Sequence, residues 1–183
     1  MSEREIKVYC DASISGNTLK GYESHITSDY VGRIMVVVPE LDYGLLERFY
    51  DDLALPNGHE NVLHAEVVAI RRANEVCGAK GKEFNRRFVI YSDNSAAIDE
   101  IGLSHVKLIR PEERHIADAY LKAVRFRCSY LRRSSENVRK RKPENARQLE
   151  ITRLMSSERM QFRLSESPLF KSFEMAGIPR SYQ

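Results

Sequence analysis

Four acidic residues stand where a carboxylate has chemistry open to it. Asp11 lies in CDAS at the end of an alternating stretch, Glu66 in NVLHAEVVAI, Asp93 at the end of FVIYSD, and Asp118 in HIADAYL. Any one Asp at a strand end ordinarily serves a turn or a helix cap. The joint placement of all four argues for more. Glu66, Ala69 and Ala73 recur at i, i+3 and i+7, so the acid points toward the small-residue face that a helix packs on its sheet. A carboxylate on a packing face is costly unless it is paired or bound to a cation. Four carboxylates converging without nearby Lys or Arg repel one another, and hard, oxygen-loving divalent cations relieve that repulsion. Two such ions roughly 4 Å apart activate a water and stabilise the leaving oxygen in phosphodiester hydrolysis.

The elements that must position these acids follow from the hydrophobic pattern. In EIKVYCD (5–11), Ile6, Val8 and Cys10 share one face and Lys7, Tyr9 and Asp11 the other, the signature of a half-buried strand. Stretches 5–13, 18–27 and 32–39 read as an antiparallel meander. Residues 43–54 have helical spacing and end at Pro56-Asn57-Gly58. The strongest helix spans 61–77, with Gly78 where a C-cap belongs. Residues 86–93 form a buried strand, and Ser95 is placed to N-cap a short helix through Ile101. VKLIRP (106–111) is a further strand, stopped by Pro111. A long helix then runs from about Glu112 to about Arg133, with Ile116, Tyr120, Leu121, Val124, Cys128 and Leu131 in one apolar stripe. The charges and Pro143 of 138–144 mark a linker, after which 144–164 reads as helix. Strands followed by alternating helices and strands make an α/β fold, a mixed sheet flanked by helices. The expected division is a domain over 1–133 and a basic, α-helical C-terminal extension over 134–183. Strands one and four are natural neighbours in such a sheet, which brings Asp11 toward Asp93.

Composition narrows the classes. The chain of 183 residues, with a net charge of +3, is long enough to bury a core without disulfides. It has no apolar run near 18 residues, and its charged opening, MSEREIKVYC, argues against a secretory signal peptide. Cys10, Cys77 and Cys128 are odd in number and far apart, so a disulfide framework or Cys-rich zinc site is not expected, and a reducing cytoplasmic setting is. Residues 1–118 carry 14 Lys and Arg against 20 Asp and Glu, whereas 119–183 carry 15 against 6. An acidic body joined to a basic tail points to a polyanion near the tail.

The ordered set VYCDAS, NVLHAEVVAI, FVIYSDNSAAI and HIADAYLKAV resembles the ribonuclease H family over residues 5–125. The resemblance implies a five-stranded mixed sheet with helices on both faces. It places the first Asp on strand one, the Glu on the first helix, the second Asp at the end of strand four and the last Asp near the start of the final helix. It implies that Asp11, Glu66, Asp93 and Asp118 bind two Mg2+ or Mn2+ ions and cleave a nucleic-acid backbone, with the RNA strand of an RNA–DNA hybrid as the expected substrate. Asp11 and Asp93 would flank both ions, and Glu66 and Asp118 would complete one site each. Val62 and Leu63 stand where that family often has an Asn pair, and His115, one turn before Asp118, is an auxiliary candidate. Ser13, Asn17, Asn94 and Ser95 neighbour the acids and are candidates for backbone contacts, with turn formation and N-capping as the competing roles. Arg125, Arg127, Arg132 and Arg133 would contact phosphates, with Phe126 and Tyr130 available to stack on bases.

Two other readings compete. LHAEVVAI also resembles the zinc-binding helix of nucleoside and nucleobase deaminases, with His64 as ligand and Glu66 as acid/base. The segment SDNSAAIDE lacks the P-C-x-x-C that would complete that site. A non-catalytic scaffold that binds nucleic acid through the basic tail, or a protein partner or second copy through the C-terminal helices, is the third reading. No membrane association is expected.

Overall fold

The computed structural model describes residues 5–15, 30–51, 58–84, 86–140 and 159–175. Strand β1 (Ile6–Ser15) pairs antiparallel with β2 (Tyr30–Val38), and β2 pairs antiparallel with β3 (Tyr43–Asp51). Helix α1 (Gly58–Phe84) crosses to β4 (Phe88–Ser92), which lies parallel to β1, and α2 (Ser95–Ile101) leads to β5 (Val106–Leu108), parallel to β4. Helix α3 (Arg114–Lys140) follows a 3-10 turn at Pro111–Glu113. Strand β6 (Arg159–Arg163) then joins the far side of β3 antiparallel, and α4 (Pro168–Met175) ends the described chain. The result is an α/β fold on a mixed six-stranded sheet, ordered β5-β4-β1-β2-β3-β6.

Each strand serves two cores through its alternation. Ile6, Val8 and Cys10 of β1, Ile34, Val36 and Val38 of β2, and Phe88 and Ile90 of β4 pack against Ala69, Ile70 and Ala73 of α1. On the opposite face Tyr9, Met35, Val37, Val89 and Tyr91 meet Tyr120, Leu121 and Val124 of α3, with Leu164 and Phe170 closing over them. The half-buried reading of β1 therefore needs amendment. Tyr9 is as enclosed as Val8, because a helix covers each face.

Several expectations are corrected. The stretch 43–51 is strand β3, not helix. Asp42, with φ of 50°, makes a left-handed turn after the 3-10 residues Pro39–Leu41 and sends the chain back along β2. Tyr43 and Leu45 then reach the α1 core and Leu46 the α3 core. Gly44, a poor interior helix residue, lets the ring of Phe162 approach from β6. The sheet has six strands and not five, because 159–163, read as helix, pairs with β3 from Tyr43↔Arg163 to Glu47↔Arg159. Helix α1 passes through Gly78 to Phe84, and α3 extends to Lys140, into the charged run read as linker. Asn94, not Ser95, caps α2, its side chain accepting from the Ala97 N–H at 3.1 Å. The strand expected at 18–27 and Asn17 lie outside the described residues, as do 144–158 of the expected tail helix. Among the described residues no helix is long and apolar enough to cross a membrane.

Candidate metal centre

The parallel register of β1 and β4 builds the centre. Tyr9 pairs with Tyr91, so Asp11 and Asp93 each follow the paired tyrosines by two residues, at the same end of the sheet. Helix α1 lies across this sheet on its alanine face, and Glu66, one turn before Ala69, reaches the same end. There the Ala12 N–H donates to Glu66 Oε1 at 3.2 Å. One carboxylate oxygen from each of Asp11, Glu66 and Asp93 lies within 4.8 Å of the other two.

The electrostatics are those of an under-compensated acid cluster. Glu66 is only 5% exposed, and its Oε2 is buried with no hydrogen-bond partner. Burial pushes the Glu66 carboxyl up to about 8, and the charges of Asp11 and Asp93 add to the rise against the Ala12 hydrogen bond. Asp11 is also raised, by burial first, with Arg125 opposing and Asp93 reinforcing. The Cys10 thiol, buried beneath the centre, is held well above its ordinary range by burial first and then by Glu66 and Asp11, and it is not among the converging ligand atoms. A buried acid with one oxygen lacking a donor, converging with two further carboxylates, is a donor set suited to a hard divalent cation.

Arginine approaches the centre after all. Arg125 Nη2 stands 2.9 Å from Asp11 Oδ2, and Arg114 Nη2 3.7 Å from Asp93 Oδ2. Sequence reasoning overlooked this pairing, although Arg114, Asp118 and Arg125 fall at i, i+4 and i+11 of one helix and so share a face. Asp118 sits on that face between the two arginines, exposed, and is not among the three converging carboxylates. His115 is exposed one turn earlier.

The remaining candidates are spread out. Ser13 is half-buried on β1, Asn94 is occupied as the α2 cap, and Ser95 is exposed at the first residue of α2. Arg127 turns away from the solvent face and pairs with Glu166 at 3.2 Å, tying α3 to the segment before α4. Arg133 is exposed, as are Phe126 and Tyr130, and the side chain of Arg132 lies outside the described residues. His64 is half-buried on α1, two residues before Glu66, and all three cysteines are buried and free. Among the described residues no cysteine joins a metal-ligating group, so the donors around Glu66 are oxygens and not the thiolates that a zinc deaminase needs. No known protein-family model matches the chain, and none of the curated proteins matches it.

Proposed function

We propose that this chain is a divalent-cation-dependent nuclease of ribonuclease-H-like type, hydrolysing phosphodiester bonds, with the RNA strand of an RNA–DNA hybrid as its expected substrate. The observation that carries the reading is the buried Glu66, which has one oxygen, Oε2, without a hydrogen-bond partner and whose carboxylate converges with those of Asp11 and Asp93 within 4.8 Å. The placement of the three acids on strand one, the first helix and the end of strand four supports the resemblance drawn from the sequence.

Asp11, Glu66 and Asp93 would hold Mg2+ or Mn2+, with exposed Asp118 available from α3 to extend the set. The bound ions supply Lewis-acid activation of water and stabilisation of the leaving oxygen. The protein's own residues fix where that happens. The Ala12 N–H orients Glu66, and the parallel strands hold Asp11 and Asp93 at one level. Exposed Lys122 and Arg133 on α3 offer positive charge for phosphates.

A second reading has its own observation. Arg125 and Arg114 already counter two of the acids, as a scaffold without bound cations would require. End-labelled RNA–DNA hybrid, duplex RNA, duplex DNA and single strands, each incubated with Mg2+, Mn2+ or chelator, separate the two. Metal-dependent cutting by the wild type that Asp93→Asn abolishes supports the nuclease. Tight binding without cutting in any metal supports the scaffold, and cutting that survives in chelator refutes the cation mechanism.

A further inference from the structure

Arg125 lies at the junction between the acidic centre and the basic face of α3. Its Nη2 donates to Asp11 at 2.9 Å, while its Nε lies 3.2 Å from the Met35 sulfur, which steadies the stem against the sheet. The side chain is nevertheless 53% exposed, so it remains open to solvent beside the centre. Three carboxylates within 4.8 Å and one arginine in direct contact make an arrangement that a divalent cation must disturb. A cation among these oxygens takes over the charge of Asp11 and repels the guanidinium. Arginine cannot shed its proton to escape, so it needs a different anion.

Helix α3 indicates which one. Lys122, Arg125, Ser129 and Arg133 follow one another at three- and four-residue spacing on the exposed side, beside exposed Phe126 and Tyr130. This combination of cations and aromatic faces matches a nucleic-acid strand, which offers a phosphate for the planar guanidinium fork and bases for the rings. Arg114 stands against Asp93 about 16 Å away along the same helix, eleven residues earlier. The two arginines thus bracket the centre along the direction that a strand on α3 would follow.

We infer that Arg125 is an exchangeable counter-ion. It neutralises Asp11 while the centre lacks divalent cations, and it passes to a backbone phosphate of the bound nucleic acid when cations arrive. This rests on the cation-dependent nuclease reading. It adds an order to that reading, because cation loading makes Arg125 available and so couples metal binding to substrate affinity.

The test uses the full chain with R125Q and R125K. Calorimetry measures binding of Mn2+ alone, and fluorescence anisotropy measures binding of a phosphorothioate RNA–DNA hybrid from 50 to 200 mM salt, with Mn2+ and with chelator. R125Q removes a competitor of exposed ion-pair strength, so Mn2+ binds roughly two- to five-fold tighter. In Mn2+ the same variant weakens hybrid binding and lowers the slope of log K against log salt by roughly 0.7–0.9. In chelator its slope matches the wild type, because Asp11 already holds the arginine. R125K keeps the charge and retains the wild-type slope. A structural role would move both affinities in one direction, so opposite signs identify the exchange.

Unchanged or weaker Mn2+ binding by R125Q overturns the inference. So does an unchanged slope in Mn2+, an equal loss of slope in chelator, or a slope lost in R125K as well. If the wild type binds no Mn2+, the nuclease reading falls together with the inference. If the wild type binds Mn2+ and cleaves while R125Q alters neither binding, only the exchange falls.

Discussion

Replacing Glu66 with Gln should make the cation-free protein more stable at neutral pH while destroying its affinity for divalent cations. Gln keeps the shape and the oxygen that accepts from Ala12, but it has no charge to bury. The folded protein holds the Glu66 proton up to about pH 8, whereas the unfolded chain releases it near 4.5. Between those values the folded state binds more protons, so stability falls as pH rises through the window and levels off above it. Each pH unit is worth about 1.4 kcal/mol, so the penalty reaches about 3 kcal/mol at pH 7 and at most about 5 kcal/mol at pH 8. For a chain of this size that corresponds to roughly 6–12 °C in Tm at pH 7. The assay is thermal unfolding of wild type and Glu66→Gln in chelator at pH 5, 7 and 8. The two should nearly coincide at pH 5 and diverge as pH rises, with Gln higher. Saturating Mn2+ should then close or reverse the gap, since a ligand at 100 times its Kd adds about 2.7 kcal/mol to the wild type alone. A wild-type Tm that stays flat from pH 5 to 8 in chelator would show that Glu66 carries no buried-charge penalty, as would a Gln variant that unfolds earlier at pH 8.

Other consequences are equally specific. Mn2+ binding at pH 7 should expel close to one proton, because the cation favours the charged form of Glu66. Calorimetry in buffers of different ionisation enthalpy measures this, and zero proton release would count against Glu66 as a ligand. Gly44→Ala should destabilise the fold by about 1–3 kcal/mol, since a Cβ there would stand 2.7 Å from the Phe162 ring, and hydrogen exchange should show β6 loosening first. Asn94→Ala should cost about 0.5–2 kcal/mol by removing the α2 cap beside Asp93, read as a lower denaturant midpoint at unchanged m-value.

What the sequence reveals about this fold depends on how local the causes are. Glu66, Ala69 and Ala73 are legible as one buried face, because helical periodicity alone groups them, and all three are enclosed. The adjacency of Asp11 and Asp93 is legible because two strands with apolar runs belong side by side at the sheet centre. The strand at 43–51 is not, because its apolar residues suit helical spacing as well as alternation. The turn at Asp42 and the pairing with β2 and β6 decide the matter, and both are tertiary. Strand β6 is hidden for the same reason. RMQFR alternates exposed and half-buried residues but gains its partner only from β3, more than a hundred residues earlier. In the site, three of the four candidate acids come together, while Asp118 remains exposed on α3 between two arginines. The spacing of that helix face was readable, but the reach of Arg125 to Asp11 depends on how α3 crosses the sheet.

The cation centre is tested most simply by a crystal of the full chain soaked in Mn2+, with data collected for the anomalous signal of the metal. A peak is expected at roughly 2–2.5 Å from oxygens of Asp11, Glu66 and Asp93, with the Arg125 guanidinium moved off Asp11. A fully soaked crystal with no peak among these three carboxylates, and Arg125 still seated on Asp11, would mean that the acids are not a cation site.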